Sequence, residues 1–292
     1  MAVNKGYLTQ VKPCAHMEHT PRVGRRKCQG IKPCVCFARS EKQINLLFPR
    51  SLTNKFVPQL SKQSGSNFMR ALGPSNNLKE KIGQGENLII FLGSSGAGRD
   101  TVLENCQASI KGSERIRRIT TRSKRLNRLD QIRLIFVNKK NFLKMLKSGE
   151  ILLACHYRAN NEFYGISRAE LLKLKNHNKT YLFECTLLSL PLKKLLPKAK
   201  LIVLIPPSFD FLKKRLMDRD VKDWRKRFKN SCLEIQIILK NIKKMFKTGL
   251  VDLALTNSNS KETALKIKKA LRNKRYADQL QQEFFEKIKR YD

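Results

Sequence analysis

Gly93, Gly96 and Gly98 stand in the string GSSGAG, directly ahead of Arg99, Asp100 and Thr101. Glycines so placed allow positive φ and let backbone amides come close to a ligand. The spacing Gly93-x4-Gly98 fits the P-loop pattern G-x-x-x-x-G-K-[ST] in its glycines, with Arg99 and Asp100 where lysine and a hydroxyl residue are usual. Such a loop binds phosphate: the amides of Ser94, Ser95, Gly96, Ala97 and Gly98 point inward, and the helix that follows adds partial positive charge. The stretch from Gly93 to Thr101 is therefore read as a nucleoside triphosphate site. Arg99 would be its cation, bulkier and forked where lysine is a point charge. Thr101 or Asp100 would reach Mg²⁺, directly or through water.

A cradle of this kind needs a strand before it and a helix after it. Leu88 to Leu92 is an apolar run of strand length, and TVLENCQASI behind the loop is helix-compatible. Further on, IRLIFV (Ile132 to Val137), ILLACHY, YLFEC, KLIVLI and LVDLALTN read as strands. Between them Asn138 caps a helix with Phe142, Met145 and Leu146 on one face, and Ser167 caps RAELLKLK. Ser208 opens a helix striped by Phe209, Leu212 and Leu216. Phe228, Cys232, Ile235, Leu239, Ile242 and Phe246 mark a long amphipathic helix from Trp224, and Ala264, Ile267 and Leu271 mark a closing one. ANNEFYGIS reads as a turn. The alternation predicts an α/β fold with a parallel, doubly wound sheet.

The residues around this core read differently. Residues 1–85 carry six prolines (Pro13, Pro21, Pro33, Pro49, Pro58 and Pro74), linker-like SKQSGSNF and GPSNN, and as acids Glu18, Glu41 and Glu80. They are expected to be a basic, low-order extension; an acid-poor Arg/Ser segment of this type resembles an organelle transit sequence. Residues 86–272 form the expected domain and 273–292 a basic helical tail in which Phe284, Phe285 and Ile288 pack. Cys106, Cys155, Cys185 and Cys232 sit singly in apolar segments, as buried thiols in a reducing compartment do. Cys14, His16, His19, Cys28, Cys34 and Cys36 lack the C-x2-C pairs of a zinc site and are read as part of the extension.

Lys and Arg number 61 against 23 Asp and Glu, a net of +38 that attracts polyanions without specificity. No aromatic-interleaved stacking motif accompanies the lysines, so specific nucleic-acid recognition is not expected. No run of about 18 apolar residues is present, so no membrane partner is expected. MAVNKGYLTQ lacks the apolar segment of a secretory signal. The expected location is cytoplasmic, or organellar if the extension is a transit sequence.

After GSSGAGRDT come ITTR (Ile119 to Arg122), FYG (Phe163 to Gly165) and KRLMDR (Lys214 to Arg219). In this order the motifs resemble the guanylate-kinase-like branch of P-loop kinases, over roughly residues 86 to 272. The resemblance implies a P-loop NTPase fold with lid and acceptor-binding subdomains, ATP as phosphoryl donor with Mg²⁺, and a small phosphorylated acceptor. It also implies site residues. Arg122 and Arg125 would hold an acceptor phosphate bidentately, with the Tyr164 hydroxyl beside them. Glu184, at a strand end, would orient the attacking phosphate or a magnesium water. Arg215 and Arg219, a helical turn apart, would join Arg227 as lid arginines over the transferring phosphoryl, completing with Arg99 the catalytic set.

Two members of the branch compete. Guanylate kinases grip GMP with TTRxPR, a following Tyr, and a Glu ahead of YYG; here Leu134 and Leu153 stand at those Tyr and Glu positions. A leucine cannot accept the N–H groups of a guanine edge. Ribose 1,5-bisphosphate phosphokinases resemble this chain in the Asp of Gly98-Arg99-Asp100-Thr101 and in LLACHYRANNEFYGI, through Ala154, His156, Arg158, Ala159, Tyr164 and Gly165. That likeness ranks conversion of ribose 1,5-bisphosphate to phosphoribosyl pyrophosphate first and guanylate kinase second. A non-catalytic binding module on the same scaffold is favoured by the missing lysine at position 99.

Overall fold

Five consecutive apolar residues at Leu88–Leu92 stay dry on both faces only inside a sheet covered on each side, and there they lie. The computed structural model describes residues 66–70, 82–124, 128–157, 161–186, 188–219 and 224–291. The strands are β1 (Ser66–Arg70), β2 (Leu88–Leu92), β3 (Ser113–Arg115), β4 (Arg118–Thr120) and β5 (Leu134–Phe136). They continue as β6 (Ile151–Tyr157), β7 (Glu162–Ser167), β8 (Thr180–Glu184), β9 (Lys200–Ile205) and β10 (Leu253–Thr256). The main helices are α1 (Arg99–Ser109), α2 (Arg128–Arg133), α3 (Lys139–Lys147), α4 (Arg168–Leu172) and α5 (Ser189–Leu195). After them come α6 (Phe209–Arg219), α7 (Trp224–Lys247), α8 (Ser260–Ala270) and α9 (Lys274–Ile288). Among the described residues no helix is long and apolar enough to cross a membrane.

β2 is the middle strand of a five-stranded parallel sheet in the order β10-β9-β2-β8-β3. Its side chains alternate between two layers. Leu88, Ile90 and Leu92 pack with Phe183, Val203 and Ile238 and Ile242 of α7. Ile89 and Phe91 face the other way, onto Val102, Leu103 and Cys106 of α1 and Ala264 and Ile267 of α8. Phe284 and Leu280 of α9 are buried in one layer each, so the tail packs as its apolar residues predict. Leu271 differs: it caps α8 and is 38% exposed.

A second sheet, β1-β6-β7-β4-β5, is antiparallel except between β4 and β5. Ile119, Phe142, Ile151, Ala154 and Phe163 form a small core with α3 over one face. Leu153, Cys155 and Ile166 on the other face belong to the main core, which fastens the two sheets together. Asn138 caps α3 by accepting from the Asn141 amide at 2.8 Å, and Ser167 caps α4 by accepting from the Glu170 amide at 3.2 Å, both as their positions predict.

Three local expectations fail here. EFYGIS is strand β7 rather than a turn: β6 pairs with it over its length, and this outweighs its Gly and Asn neighbours. Ile132 belongs to α2 and is 41% exposed, so the strand expected from it begins at Leu134. SKQSGSNF ends in β1, which adds an outer strand to β6 in the register Phe68 opposite Cys155. The cluster from Cys14 to Cys36 lies outside the described residues.

Candidate functional site

The connection after β2 runs to β3 at one edge of the sheet and that after its neighbour β9 runs to β10 at the other, and the crevice at the carboxyl ends of such strands is where ligands of α/β folds sit. The loop from Gly93 to Gly98 opens into that crevice. Gly98 takes φ 82° in front of Arg99, so the helix starts two residues before the expected TVLENCQASI and without a side-chain cap. The loop is held from outside by its carbonyls: Thr186 Oγ1 donates to Gly93 O at 2.9 Å, and Asn257 Nδ2 to Ala97 O at 2.7 Å. Carbonyl and amide of a trans peptide unit point opposite ways, so these two bonds turn the Ser94 and Gly98 amides away from the framework. Asn257 is fully buried and is itself fixed by the Thr263 hydroxyl donating to its Oδ1 at 3.0 Å.

Beside the loop lies a cluster of arginines and carboxylates. Glu184, at the end of β8, is 5% exposed and paired with Arg118 of β4; its Oε2 is 3.8 Å from Arg99 Nη1. Burial pushes the Glu184 carboxyl up to about 7, against the pull of Arg118 and Arg99. Burial also works against the charge of Arg118, but Glu184 and the other acidic groups around it, Asp100 among them, together outweigh burial and raise the guanidinium. A second chain of pairs joins the two modules. Asp100 pairs with Arg133, Arg133 Nη2 with Asp130 Oδ1 at 2.8 Å, and Asp130 Oδ2 with Arg122 Nη2 at 2.6 Å. Burial would raise the Asp100 carboxyl, yet Arg133, Arg99 and Arg118 together hold it well below the usual carboxylate range.

The expected residues are brought together in part. Arg99, Asp100, Glu184 and the loop form one cluster, and Arg122 joins it through Asp130 and Arg133. Thr101 is exposed in the first turn of α1. The Tyr164 hydroxyl donates to Glu162 Oε2 at 3.0 Å, its ring lies under Arg118, and burial pushes its hydroxyl up to about 12. Arg215 lies against the loop backbone, donating to Gly96 O at 3.4 Å and Ser258 O at 3.2 Å, with its guanidinium over Phe211. Arg227 is half-buried in the first turn of α7. Arg125 and Arg158 lie outside the described residues, as does the side chain of Arg219. Leu134 and Leu153, the positions compared with the base-gripping residues, are 4% and 5% exposed, within the packing of the second sheet.

Arg118, Asp130, Arg133 and Asn257 were not singled out in the sequence. Asn257 carried a signal, a polar residue at the carboxyl end of a buried strand in a parallel sheet. Asp130 carried another, an acid among arginines in RLNRLDQIR. Arg118 and Arg133 carried none, since each is one basic residue of many.

A parallel sheet with a P-loop on its middle strand, flanked by helices and joined to a second small sheet, defines an α/β P-loop kinase. The family model described as guanylate kinase matches residues 85–274, and the chain belongs to that family. Among its relatives, guanylate kinase of Clostridioides difficile (strain 630) is 28% identical over 158 residues, covering 52% of this chain and 75% of that one. Guanylate kinase of Clostridium perfringens (strain SM101) is 25% identical over 191 residues, covering 63% and 82%. A crystal structure of guanylate kinase from Anaplasma phagocytophilum aligns with TM-score 0.48 and 22% identity, over 64% of this chain and 85% of that chain.

Proposed function

We propose that residues 86–272 are a catalytic domain that transfers the γ-phosphoryl group of ATP to the phosphate of GMP, giving ADP and GDP. The observation that carries this is the family match, which runs across both the P-loop and the second sheet rather than over the loop alone. In this reading the amides from Ser94 to Gly98 bind the ATP phosphates and Arg99 neutralises charge developing on the transferred group. The exposed Thr101 hydroxyl would hold Mg²⁺, which would supply charge neutralisation to the phosphates, since Asp100 is engaged by Arg133. Arg122, Arg125 and Tyr164 hold the acceptor phosphate. Glu184 sets the position of Arg118 and Arg99 next to it. Arg219 and Arg227 close over the phosphoryl group from the lid, while Arg215 braces the loop.

Ribose 1,5-bisphosphate stays as the second acceptor because of one observation, the apolar and buried Leu134 and Leu153. A site that cannot pair the guanine edge loses much of the discrimination that pairing supplies. Coupled assays of ADP release with GMP, dGMP and ribose 1,5-bisphosphate decide between them. Turnover with GMP well above that with ribose bisphosphate is the expected result; the reverse order would assign the sugar acceptor. Mg-ATP binding without turnover of any of the three would make the chain a binding module.

A further inference from the structure

One arginine of the crevice stands apart from those already described. Arg115 ends β3, the edge strand of the parallel sheet, and lies opposite Leu182 of β8 in parallel register. Leu182 packs toward α1, and Glu184, two residues on, shares that face. Arg115 turns the same way: it is 5% exposed, and its Nη2 donates to the Asp100 carbonyl in the first turn of α1 at 3.5 Å. Three residues later the chain enters β4 with Arg118, so Arg115 stands where the chain passes from one sheet to the other. Arg99, Arg118, Arg122 and Arg133 each form an ion pair with a carboxylate. Among the described residues Arg115 forms none, and its Nε and Nη1 are buried without a hydrogen-bond partner. Burial lowers this guanidinium from its ordinary value and Glu184, Asp100 and Glu104 offset only part of that, whereas Arg118 and Arg133 are raised. It stays charged all the same.

A buried cation without an anionic partner destabilises a fold, and an apolar side chain of similar length would pack there without that penalty. An enclosed charge also reaches farther than a surface one, because little water or salt screens it. We infer that Arg115 is a positioning residue for the acceptor, its unpaired charge drawing the acceptor's phosphate dianion into the crevice between the loop and the second sheet. It acts across the site rather than by contact, and the negative charge of the substrate is its counterpart. The inference rests on the proposed transfer to a phosphorylated acceptor. It predicts an opposition that a purely structural arginine would not show: without its charge the chain is more stable and holds the acceptor less well.

Arg115→Met keeps an unbranched stem and removes the charge, whereas Arg115→Lys keeps the charge and removes the fork. Calorimetric titration of the full chain with GMP and with ribose 1,5-bisphosphate compares both variants with the parent. Work at about 0.3 M salt suppresses binding to surface lysines. Arg115→Met is expected to bind the parent's preferred acceptor on the order of tenfold more weakly, and to unfold at higher urea than the parent. Arg115→Lys is expected to recover most of the affinity. Acceptor affinity that is unchanged in Arg115→Met, or lost alike in both variants, overturns the inference and leaves the acceptor site standing. A lower urea midpoint in Arg115→Met overturns it as well and makes Arg115 a structural support. If the parent binds neither compound, the proposed acceptor reading falls, and the role of Arg115 with it.

Discussion

Arg99 is the residue on which the proposed phosphoryl transfer turns. It opens α1, and its Nη1 is buried with no hydrogen-bond partner among the described residues; Glu184 at 3.8 Å is beyond hydrogen-bond reach. An orphaned buried donor costs about 1–3 kcal/mol, which a phosphate oxygen arriving in the loop would relieve. Arg99→Ala is therefore expected to lower kcat on the order of 10²-fold, the usual loss when one charge-stabilising donor is removed. Arg99→Lys keeps the cation without the fork and is expected to match or exceed the parent. Single-turnover assays with ATP and GMP read both. Equal rates in parent and both variants would put the phosphate charge elsewhere, and an inert parent beside an active Arg99→Lys would identify a disabled kinase.

At the scale of elements, what couples the two sheets at the site is the series Asp100–Arg133–Asp130–Arg122, running from the first turn of α1 through α2 to the loop after β4. The Asp130 side chain is fully buried, and removing one partner of a buried pair costs far more than losing a surface ion pair. Asp130→Asn should destabilise the protein by roughly 3 kcal/mol at neutral pH, measured by urea unfolding. The same pairs fix a pH dependence. Asp100 and Asp130 both titrate below their ordinary value of 3.8 in the folded protein, so their stabilisation is complete above that value and is lost as pH falls from it through their lower folded values. The parent should therefore lose stability in acid more steeply than Asp130→Asn does. Almost none of this series was legible in the sequence. The strands LIIFL, YLFEC and KLIVLI were, because burial on both faces writes itself as an apolar run. Strands β3 and β4 were not, since three residues among arginines have no period to detect. Ion pairs are harder still: Arg118 meets a carboxylate 66 positions away, and nothing local marks which of many arginines does so. The loop was legible because its glycines answer to local backbone geometry, whereas the approach of Leu212 and Leu216 of α6 to Gly96 answers to tertiary packing.

Over the whole molecule, 61 basic residues outnumber 23 acidic ones, and a surface of that kind binds polyanions in a salt-dependent way. Several of the acids are spent at joints: Glu170 on Arg117 and Lys173, Asp252 on Lys193 and Lys200, Glu114 on Lys173 and Lys179. Where the stable body begins is a separate matter, and composition alone put it near residue 86. Strand β1 argues for an earlier start, because Ser66–Arg70 pairs along β6 and supplies backbone partners to an edge that is otherwise open. Limited proteolysis followed by mass measurement should therefore leave a resistant fragment beginning ahead of Ser66. A chain started at residue 82 should keep the parallel sheet but expose the β6 edge, and so associate more readily at equal concentration, as read by light scattering. If instead the resistant fragment begins near residue 80 and the chain started at residue 82 stays as monodisperse as the parent, β1 contributes nothing to the stable body and residues 1–85 form one dispensable extension.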